Sequence, residues 1–282
     1  MIRNTFCHIR GCGLSTERRL WSAGLHSWDN VSSAERLPVS GRRAERLRQE
    51  VAASVGHLAA GNPDYFYATM PAAEHWRLFR EFGHSAAYFD IETTGLGAPG
   101  DHITTIALYD GHSIRHYVHG VNLDAFTADI AQYRLLVSYN GKTFDVPFVR
   151  QALGVPLDQA HIDLRYVLAS LGFRGGLKQC ERKLGLDRAE LADVDGFFAV
   201  LLWQEYQRRR DPRALETLLA YNVTDVVNLA ALVVRAYNLK LRDTPFAGSH
   251  VLPEPTLPPN PFRADVDTIA RIRRAHPHMG GW

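Results

Sequence analysis

Two carboxylates interrupt an apolar stretch near the middle of the sequence. The segment AYFDIETTGL, residues 87–96, places Asp90 and Glu92 two positions apart in what otherwise has the composition of a buried strand. Alternate residues of a strand share a face, so both side chains point the same way from positions roughly 6–7 Å apart. Two like charges about 4 Å apart repel by about 4 kcal/mol at an effective dielectric constant of 20. No Lys or Arg lies in the segment, so a hard divalent cation such as Mg²⁺ or Mn²⁺ is the simplest partner; a solvated edge strand is the alternative.

Two later segments also place polar residues next to or within apolar elements. In LVSYNGKTFDVPFV, residues 136–149, Asn140 follows a buried strand and Asp145 stands at the start of the next helix. Open α/β sheets place their sites at such positions, although an Asp that merely caps a helix is the alternative. In AYNVTDVVNLAALVV, Tyr221 and Asp225 are four residues apart and share one helical face. A pair at the boundary of a half-buried face is the alternative there.

The elements around these segments predict an α/β domain over residues 84–240. Three strands come first, with Asp110-Gly111 as the hairpin turn between the second and the third. A helix, the strand RLLVSYN, the helix VPFVRQALG, the strand AHIDL and several further helices follow. This succession predicts a mixed sheet that is covered by helices on both faces.

The two ends of the chain differ in composition from this domain. Residues 1–80 read as helical, and residues 1–50 hold nine arginines and no lysine against five acidic residues, a local net charge of +4. A basic excess of this kind indicates a polyanionic partner. Residues 243–282 hold seven of the 14 prolines, which predicts an extended C-terminal tail.

Composition excludes several other classes. The net charge of +2, with 46% hydrophobic and 22% charged residues, is ordinary for a soluble globular protein. The longest apolar run, Phe197–Trp203, is far shorter than the roughly 20 residues of a membrane helix, and the N-terminus has no apolar signal segment. We therefore expect a cytoplasmic protein with no membrane partner. Three scattered cysteines, Cys7, Cys12 and Cys180, indicate buried thiols rather than a disulfide framework or a zinc site.

The three polar segments, taken in order, resemble the exonuclease motifs of the DEDD superfamily in its tyrosine-containing branch. The matching residues are Asp90-Ile91-Glu92, then Asn140 to Asp145 as N-x3-F-D, then Tyr221 to Asp225 as Y-x3-D. The residues of these motifs are similar to those in the proofreading domains of family B DNA polymerases. They are more similar still to those of the bacterial YprB-like group of ribonuclease H-like proteins, where HIDL and GGLKQCERKLGL are also familiar.

The resemblance implies a ribonuclease H-like fold with a five-stranded mixed sheet, and hydrolysis of phosphodiester bonds with two divalent ions, Mg²⁺ or Mn²⁺. Asp90 would contact both ions. Glu92 and Asp225 would complete the site that holds the nucleophile, and Asp145 would act mainly on the other ion. Tyr221 would orient the attacking water.

The resemblance also implies residues that bind the substrate. They are Thr93, Thr94, Gly95, Leu96, Asn140, Phe144 and Lys178. Leu96 would lie under the base of the terminal nucleotide, and Lys178 would meet a phosphate, a solvated lysine at a helix end being the alternative. His161 and Asp163 of HIDL are expected to be structural.

A second resemblance concerns the N-terminus. The run Ile9-Arg10-Gly11-Cys12-Gly13 before a helix resembles the hairpin of a helix-hairpin-helix module, in which backbone N–H groups at Gly11 and Gly13 would meet DNA phosphates. Almost nothing precedes Ile9, so the usual first helix is absent or very short. A plain glycine-rich turn is the alternative.

Together these patterns predict a metal-dependent 3′→5′ exonuclease that acts on single-stranded or frayed ends, with DNA favoured over RNA. A 3′→5′ exoribonuclease, a structure-selective endonuclease of the same fold and a non-catalytic scaffold that binds nucleic acid are the alternatives. The sequence indicates no particular protein partner.

Overall fold

A five-stranded mixed sheet organises the computed structural model, which describes residues 1–191 and 194–276. The strands are β1 (Ala86–Thr93), β2 (Ile103–Tyr109), β3 (Ile114–Val118), β4 (Leu135–Ser138) and β5 (Ala160–Asp163). Their order in space is β3-β2-β1-β4-β5, with β1 antiparallel to β2 and parallel to β4, and β4 parallel to β5. The predicted mixed sheet flanked by helices is confirmed.

Twelve α-helices occur in the part of the chain that the structure describes. They are α1 (Leu14–Ser22), α2 (Trp28–Ser33), α3 (Gly41–Ala59), α4 (Pro63–Tyr67), α5 (Phe79–Phe82), α6 (Ala125–Ile130), α7 (Asp145–Leu153), α8 (Leu164–Ser170), α9 (Leu177–Lys183), α10 (Gly196–Arg209), α11 (Pro212–Leu241) and α12 (Val266–Ala275). Short 3-10 helices lie between some of them, the longest over Ala72–Leu78.

The alternation along β1 separates the two faces of the sheet. Phe89 and Ile91 belong to the apolar cluster that includes Phe126 of α6 and Val149 of α7. Tyr88 belongs to the cluster on the other face, which includes one side of α11. Because alternate residues share a face, Asp90 and Glu92 point towards α11, as the sequence predicts.

The parallel strands determine where polar groups collect. The carboxyl ends of β1, β4 and β5 lie at one edge of the sheet, because these three strands run in the same direction. A register shift between Glu92 and Thr93 ends the regular pairing of β1 with β2 at this edge. Loops that leave this edge therefore carry the residues expected to do chemistry.

Helix α11 is the central helix of the fold. Asp211 caps it by accepting a hydrogen bond from the backbone N–H of Arg213, and Pro212 occupies its first turn. The helix is long and apolar enough to cross a membrane by length and composition, but 94% of its most apolar window is buried inside the protein. Its all-round apolar surface is thus accounted for by the core that surrounds it.

The N-terminal helical region shares a core with the sheet. One continuous cluster includes Phe6, Trp28 and Phe66 together with the buried side of α11. Buried Arg77 joins parts of this region through ion pairs with Glu17 at 2.8 Å and with Glu74 at 2.8 Å. The division into residues 1–80, 84–240 and 243–282 remains a prediction.

The C-terminal segment contains a helix that the composition conceals. Residues 251–260 have neither helix nor strand, and α12 follows them. Asp265 caps α12, and Ile269 and Ile272 pack into a cluster with α10 and the first turns of α11. The end of the predicted tail, residues 277–282, lies outside the described residues.

Candidate active site

Three carboxylates from two distant parts of the chain meet at the edge of the sheet. Asp90 and Glu92 come from the end of β1, and Asp225 comes from the middle of α11. One carboxylate oxygen from each residue can be chosen so that all three oxygens lie within 4.8 Å of one another. Glu92 and Asp225 are buried, and Asp90 is partly exposed. Three acidic side chains so close together strongly attract a cation.

Asp145 lies beside this triad at the first residue of α7. Its Oδ1 accepts a hydrogen bond of 3.2 Å from the backbone N–H of Ile91, the residue between Asp90 and Glu92. This bond fixes the start of α7 against the end of β1. The fourth predicted acid is therefore placed at the site, although it is not one of the three whose oxygens cluster within 4.8 Å.

Asn222 holds Asp90 in place. Its Nδ2 donates to Asp90 Oδ2 at 2.9 Å, and its Oδ1 accepts from the Thr105 hydroxyl at 3.1 Å. Thr105 stands opposite Glu92 in the β1–β2 register. The Asn222 amide thus connects Asp90 of β1 with Thr105 of β2. These hydrogen bonds restrict the rotamer of Asp90 and hold its carboxylate in this orientation.

Arg188 supplies a buried positive charge next to Asp225. Its Nη1 pairs with Asp225 Oδ1 and its Nε with Glu181 Oε2, while Asn228 donates to the other oxygen of Glu181 at 2.9 Å. Arg188 Nη2 is buried and has no hydrogen-bond partner among the described residues. The guanidinium offsets part of the negative charge and orients one carboxylate of the triad.

Tyr221 lies one helical turn before Asp225, and both residues are 5% exposed. Burial raises the pKa of Asp225, and the nearby Tyr221 hydroxyl opposes this shift. Two cations approach the Tyr221 ring: Lys178 Nζ lies 5.0 Å from the centroid and Arg188 Cζ lies 5.8 Å away. The structure thus brings Lys178 to the same site as Tyr221 and Asp225.

Burial and mutual repulsion shift the titration of the whole cluster. Desolvation, followed by the neighbouring carboxylates, raises the pKa of Asp90 and of Glu92 well above the usual range. Desolvation also raises the pKa of Asp145, to about 7, and that of Asp225, where it outweighs the effect of Arg188. The pKa of Tyr221 is raised by burial and by the nearby acids, so this residue remains a neutral phenol at pH 7.

A set of hydrogen bonds shapes the turn that connects β4 to α7. Asp163 accepts from the backbone N–H groups of Asn140 and Lys142, at 2.8 and 3.1 Å. Buried His161 contacts the Ser138 hydroxyl at 2.7 Å, and this hydroxyl accepts from the N–H of Gly141. The structure therefore gives His161 and Asp163 the structural roles expected of them.

Two residues of this turn show why the sequence is restricted there. Asn140 has a left-handed backbone with φ of 68°, a conformation that Asn tolerates better than most residues. A Cβ on Gly141 would lie 2.2 Å from the Ser138 hydroxyl, so no larger residue fits. Thr143 donates to the Asn140 side chain at 2.7 Å. Phe144, which follows, packs on Phe148 at the edge of the core.

The loop after β1 is held by Asp101. Its Oδ2 accepts from the N–H groups of Gly97 and Ala98, at 2.9 and 2.7 Å, and its Oδ1 accepts from Thr94 at 3.4 Å. A Cβ on Gly95 would lie 2.5 Å from this carboxylate. Thr93 closes the start of the loop by donating to the Gly95 carbonyl at 2.6 Å.

Leu96 stands at the outer end of this loop with its side chain 91% exposed. The structure therefore places Thr93 next to Glu92 at the end of β1 and joins Thr94 to Asp101 in the loop, and the side chain of Leu96 has no covering neighbour.

Gly11 and Gly13 do not belong to this site. Gly11, with φ of 83°, lies in the turn before α1, and Gly13 is the N-cap of that helix. Gly11 lines a separate cavity of about 170 Å³ that is also lined by Arg10, Arg43 and Arg46. A single 3-10 turn, Ile2–Asn4, stands where a helix-hairpin-helix module has its first helix.

The donor set fits hard divalent ions. All the candidate ligands are carboxylates, which suit Mg²⁺ and Mn²⁺ rather than soft metals. Burial is the largest cause of the raised pKa values of Asp90, Glu92 and Asp145, and repulsion from neighbouring carboxylates adds to it. A bound cation relieves that repulsion.

Sequence reasoning missed two residues that support the carboxylates. Asn222 sits between Tyr221 and Val223 in an otherwise apolar stretch, and a buried amide on a core helix is a signal that could have been used. Arg188 gave no usable signal, because its partner Asp225 is 37 residues away and the segment between them has no fixed period.

Comparisons with known proteins agree with this geometry. A family model for the RNase H superfamily matches residues 87–237. The uncharacterized protein YprB of Bacillus subtilis (strain 168) is 31% identical over 173 residues, which cover 52% of this chain and 40% of YprB. The chain thus spans about two fifths of the length of that curated relative.

A solved structure also resembles the chain, the family B DNA polymerase from the hyperthermophilic archaeon Pyrobaculum calidifontis. The TM-score is 0.42 at 20% sequence identity, and the likeness covers 56% of this chain and 24% of the polymerase chain.

The raised pKa of Asp145 predicts how stability depends on pH. The pKa of Asp145 is about 7 in the folded state, above its unfolded value of 3.8. The folded state therefore binds the Asp145 proton more tightly than the unfolded state does. The resulting stabilisation is fully present below about pH 4 and is lost as pH rises towards 7. Without metal, Asp145→Asn should therefore gain about 1–2 kcal/mol of unfolding free energy relative to the wild type between pH 5 and pH 7. Urea denaturation in EDTA measures this difference.

The matched control is Asp243→Asn, at an exposed acid beyond the end of α11, which should track the wild type. Mg²⁺ should stabilise the wild type more at pH 8 than at pH 6, because bound metal offsets the charge that deprotonation creates. An Asp145→Asn difference that is independent of pH would contradict the electrostatic description of the site.

Proposed function

The chain belongs to the RNase H superfamily, which indicates a nuclease, and from this premise we propose that it is a metal-dependent 3′→5′ exonuclease acting on single-stranded or frayed nucleic-acid ends. The carboxylate cluster is the observation that carries the proposal. Asp90, Glu92 and Asp225 converge within 4.8 Å, with Asp145 bonded to the strand between the first two. A purely structural role does not account for four acids gathered at one edge of a sheet.

The protein groups have distinct roles in the proposed reaction. Asp90, Glu92, Asp145 and Asp225 would hold two divalent ions, which when bound acidify the attacking water and stabilise the departing 3′-oxygen. Asn222 and Arg188 keep Asp90 and Asp225 in their rotamers through the contacts described above. The four acids then need little rearrangement when substrate arrives.

Tyr221 would orient the attacking water. Its raised pKa keeps the phenol protonated, so it acts through hydrogen bonds rather than as a base. Lys178, next to the Tyr221 ring, would contact a phosphate oxygen of the substrate. Thr93, Thr94 and Leu96 would bind the terminal nucleotide, which is supported by the exposure of Leu96 in the loop that follows Glu92.

DNA is the preferred substrate in this proposal. The support comes from the N-terminal region, where Gly11 lines one small cavity with Arg10, Arg43 and Arg46, and Gly13 caps the helix that follows. Exposed backbone N–H groups next to arginines are suited to a phosphate backbone. This region would bind double-stranded or single-stranded DNA while the carboxylate site cleaves the strand end.

Degradation of a labelled oligonucleotide tests the proposal. With Mg²⁺ or Mn²⁺, a single strand labelled at its 5′ end should shorten one nucleotide at a time, in a ladder that starts at the full length. A strand whose 3′ end is blocked should remain intact. Cutting of the blocked strand at internal positions would show the endonuclease instead, and parallel DNA and RNA strands show which sugar is accepted.

Variants at the site separate chemistry from binding. Asp90→Ala, Glu92→Ala and Asp225→Ala should each abolish hydrolysis, because each removes a metal ligand. Tyr221→Phe should bind the strand as the wild type does but cut roughly 10- to 100-fold more slowly, since the water loses its hydrogen bond. Single-turnover rates and anisotropy binding curves measure the two effects, and full activity of Tyr221→Phe would refute the orienting role.

A further inference from the structure

The turn after β4 and the loop between α8 and α9 form a groove that contains two arginines. It has a volume of about 680 Å³, and we call it the arginine groove after its lining by Tyr139, Asn140, Arg165, Phe173, Arg174 and Gly175. None of the residues that line it is acidic. Arg165 and Arg174 are exposed, and both aromatic side chains are partly exposed.

Both walls of the arginine groove lead to the carboxylate site. On one wall, Tyr139 and Asn140 follow β4, and the same turn continues to Asp145. On the other wall, the loop between α8 and α9 runs through Gly175 to Lys178, whose ammonium group lies over the ring of Tyr221. The two segments that form the groove thus continue, within a few residues, to Asp145 and to Lys178.

Hydrogen bonds hold the two walls in a fixed relation. Tyr139 donates from its hydroxyl to the Gly175 carbonyl, across the groove floor. Arg165 Nη1 donates to Asn140 Oδ1, which fixes one nitrogen of this exposed guanidinium and leaves further N–H donors for a ligand. The groove is thus formed before any ligand binds, which reduces the cost of ordering on binding.

A second cavity, of about 620 Å³, differs in charge from the arginine groove. Asp101 and Asp124 are among its lining residues, together with His102 and His119, and it has no Arg or Lys in its lining. Its two acids do not favour the phosphates of a nucleic acid, so the arginine groove matches that ligand better.

We propose that the arginine groove binds the nucleotides on the 5′ side of the bond that is cut, with Arg165 and Arg174 on their phosphates and Tyr139 and Phe173 against their bases. The charge of the groove matches a phosphodiester backbone, and partly exposed aromatic side chains are the usual platform for unpaired bases. The proposal rests on the proposed nuclease function only for its direction. The contribution of the groove to binding can be measured without cleavage.

Substitution of Arg174 tests the groove more cleanly than substitution of Arg165. No side-chain hydrogen bond or ion pair joins Arg174 to other described residues, whereas Arg165 also donates a hydrogen bond to Asn140. Anisotropy of a fluorescent ten-nucleotide single strand in EDTA should show a Kd about fivefold higher for Arg174→Gln at 50 mM KCl. The double variant with Arg165→Gln should be weaker still. The slope of log Kd against log salt should become shallower by about 0.7 for each phosphate contact that is lost.

The matched control is Arg242→Gln. Arg242 is also exposed and caps the far end of α11, about 25 Å from Asp225 at 1.5 Å per residue. This variant should retain the affinity and the salt slope of the wild type. Thermal melting of each variant shows that a change in affinity does not arise from a loss of the fold.

The outcomes distinguish the groove from the nuclease. Equal Kd values for Arg174→Gln, the double variant and Arg242→Gln would overturn the proposal, as would a wild type that binds neither DNA nor RNA strands. If the wild type binds the strand but releases no nucleotide, the proposed nuclease function is refuted. The Kd values of the variants then still test whether the arginine groove binds the strand. With an active enzyme, the loss of kcat/KM in Arg174→Gln should be larger for ten nucleotides than for two.

Discussion

Repulsion among buried carboxylates is the constraint on which the structure depends. Asp90, Glu92, Asp145 and Asp225 face one another with Arg188 and Lys178 as the neighbouring cations, and burial adds to the cost of their charges. Such a cluster is unfavourable unless protons or metal ions neutralise it. Its position at the carboxyl ends of parallel strands gives ions and substrate access to it.

The surrounding fold acts mainly to keep these charges in place. The backbone N–H of Ile91 holds Asp145, Asn222 holds Asp90, and Arg188 holds Asp225. Asp163 and Asp101 each fix a loop next to the site through backbone N–H groups. Each of these contacts reduces the freedom of a reacting or positioning group, so the site is arranged in advance of binding.

Local patterns predicted much of this arrangement, and long-range contacts account for what they missed. Period-two alternation placed Asp90 and Glu92 on one face, and helical spacing joined Tyr221 to Asp225. The bonds from Asn222 and Arg188 span 132 and 37 residues, and no local period encodes them. Helix α12 was not predicted, because the segment before it is rich in proline. Asp265 as an N-cap and the spacing of Ile269 and Ile272 nevertheless indicate a capped amphipathic helix.

Metal binding by the carboxylate cluster is the central claim, and isothermal titration with Mn²⁺ tests it most directly. At pH 8 we expect saturable binding with two ions per wild-type chain, and loss of at least one of them in Asp90→Asn, which keeps the shape of the side chain but removes its charge. Absence of saturable binding to the wild type, or an unchanged titration with Asp90→Asn, would contradict the claim.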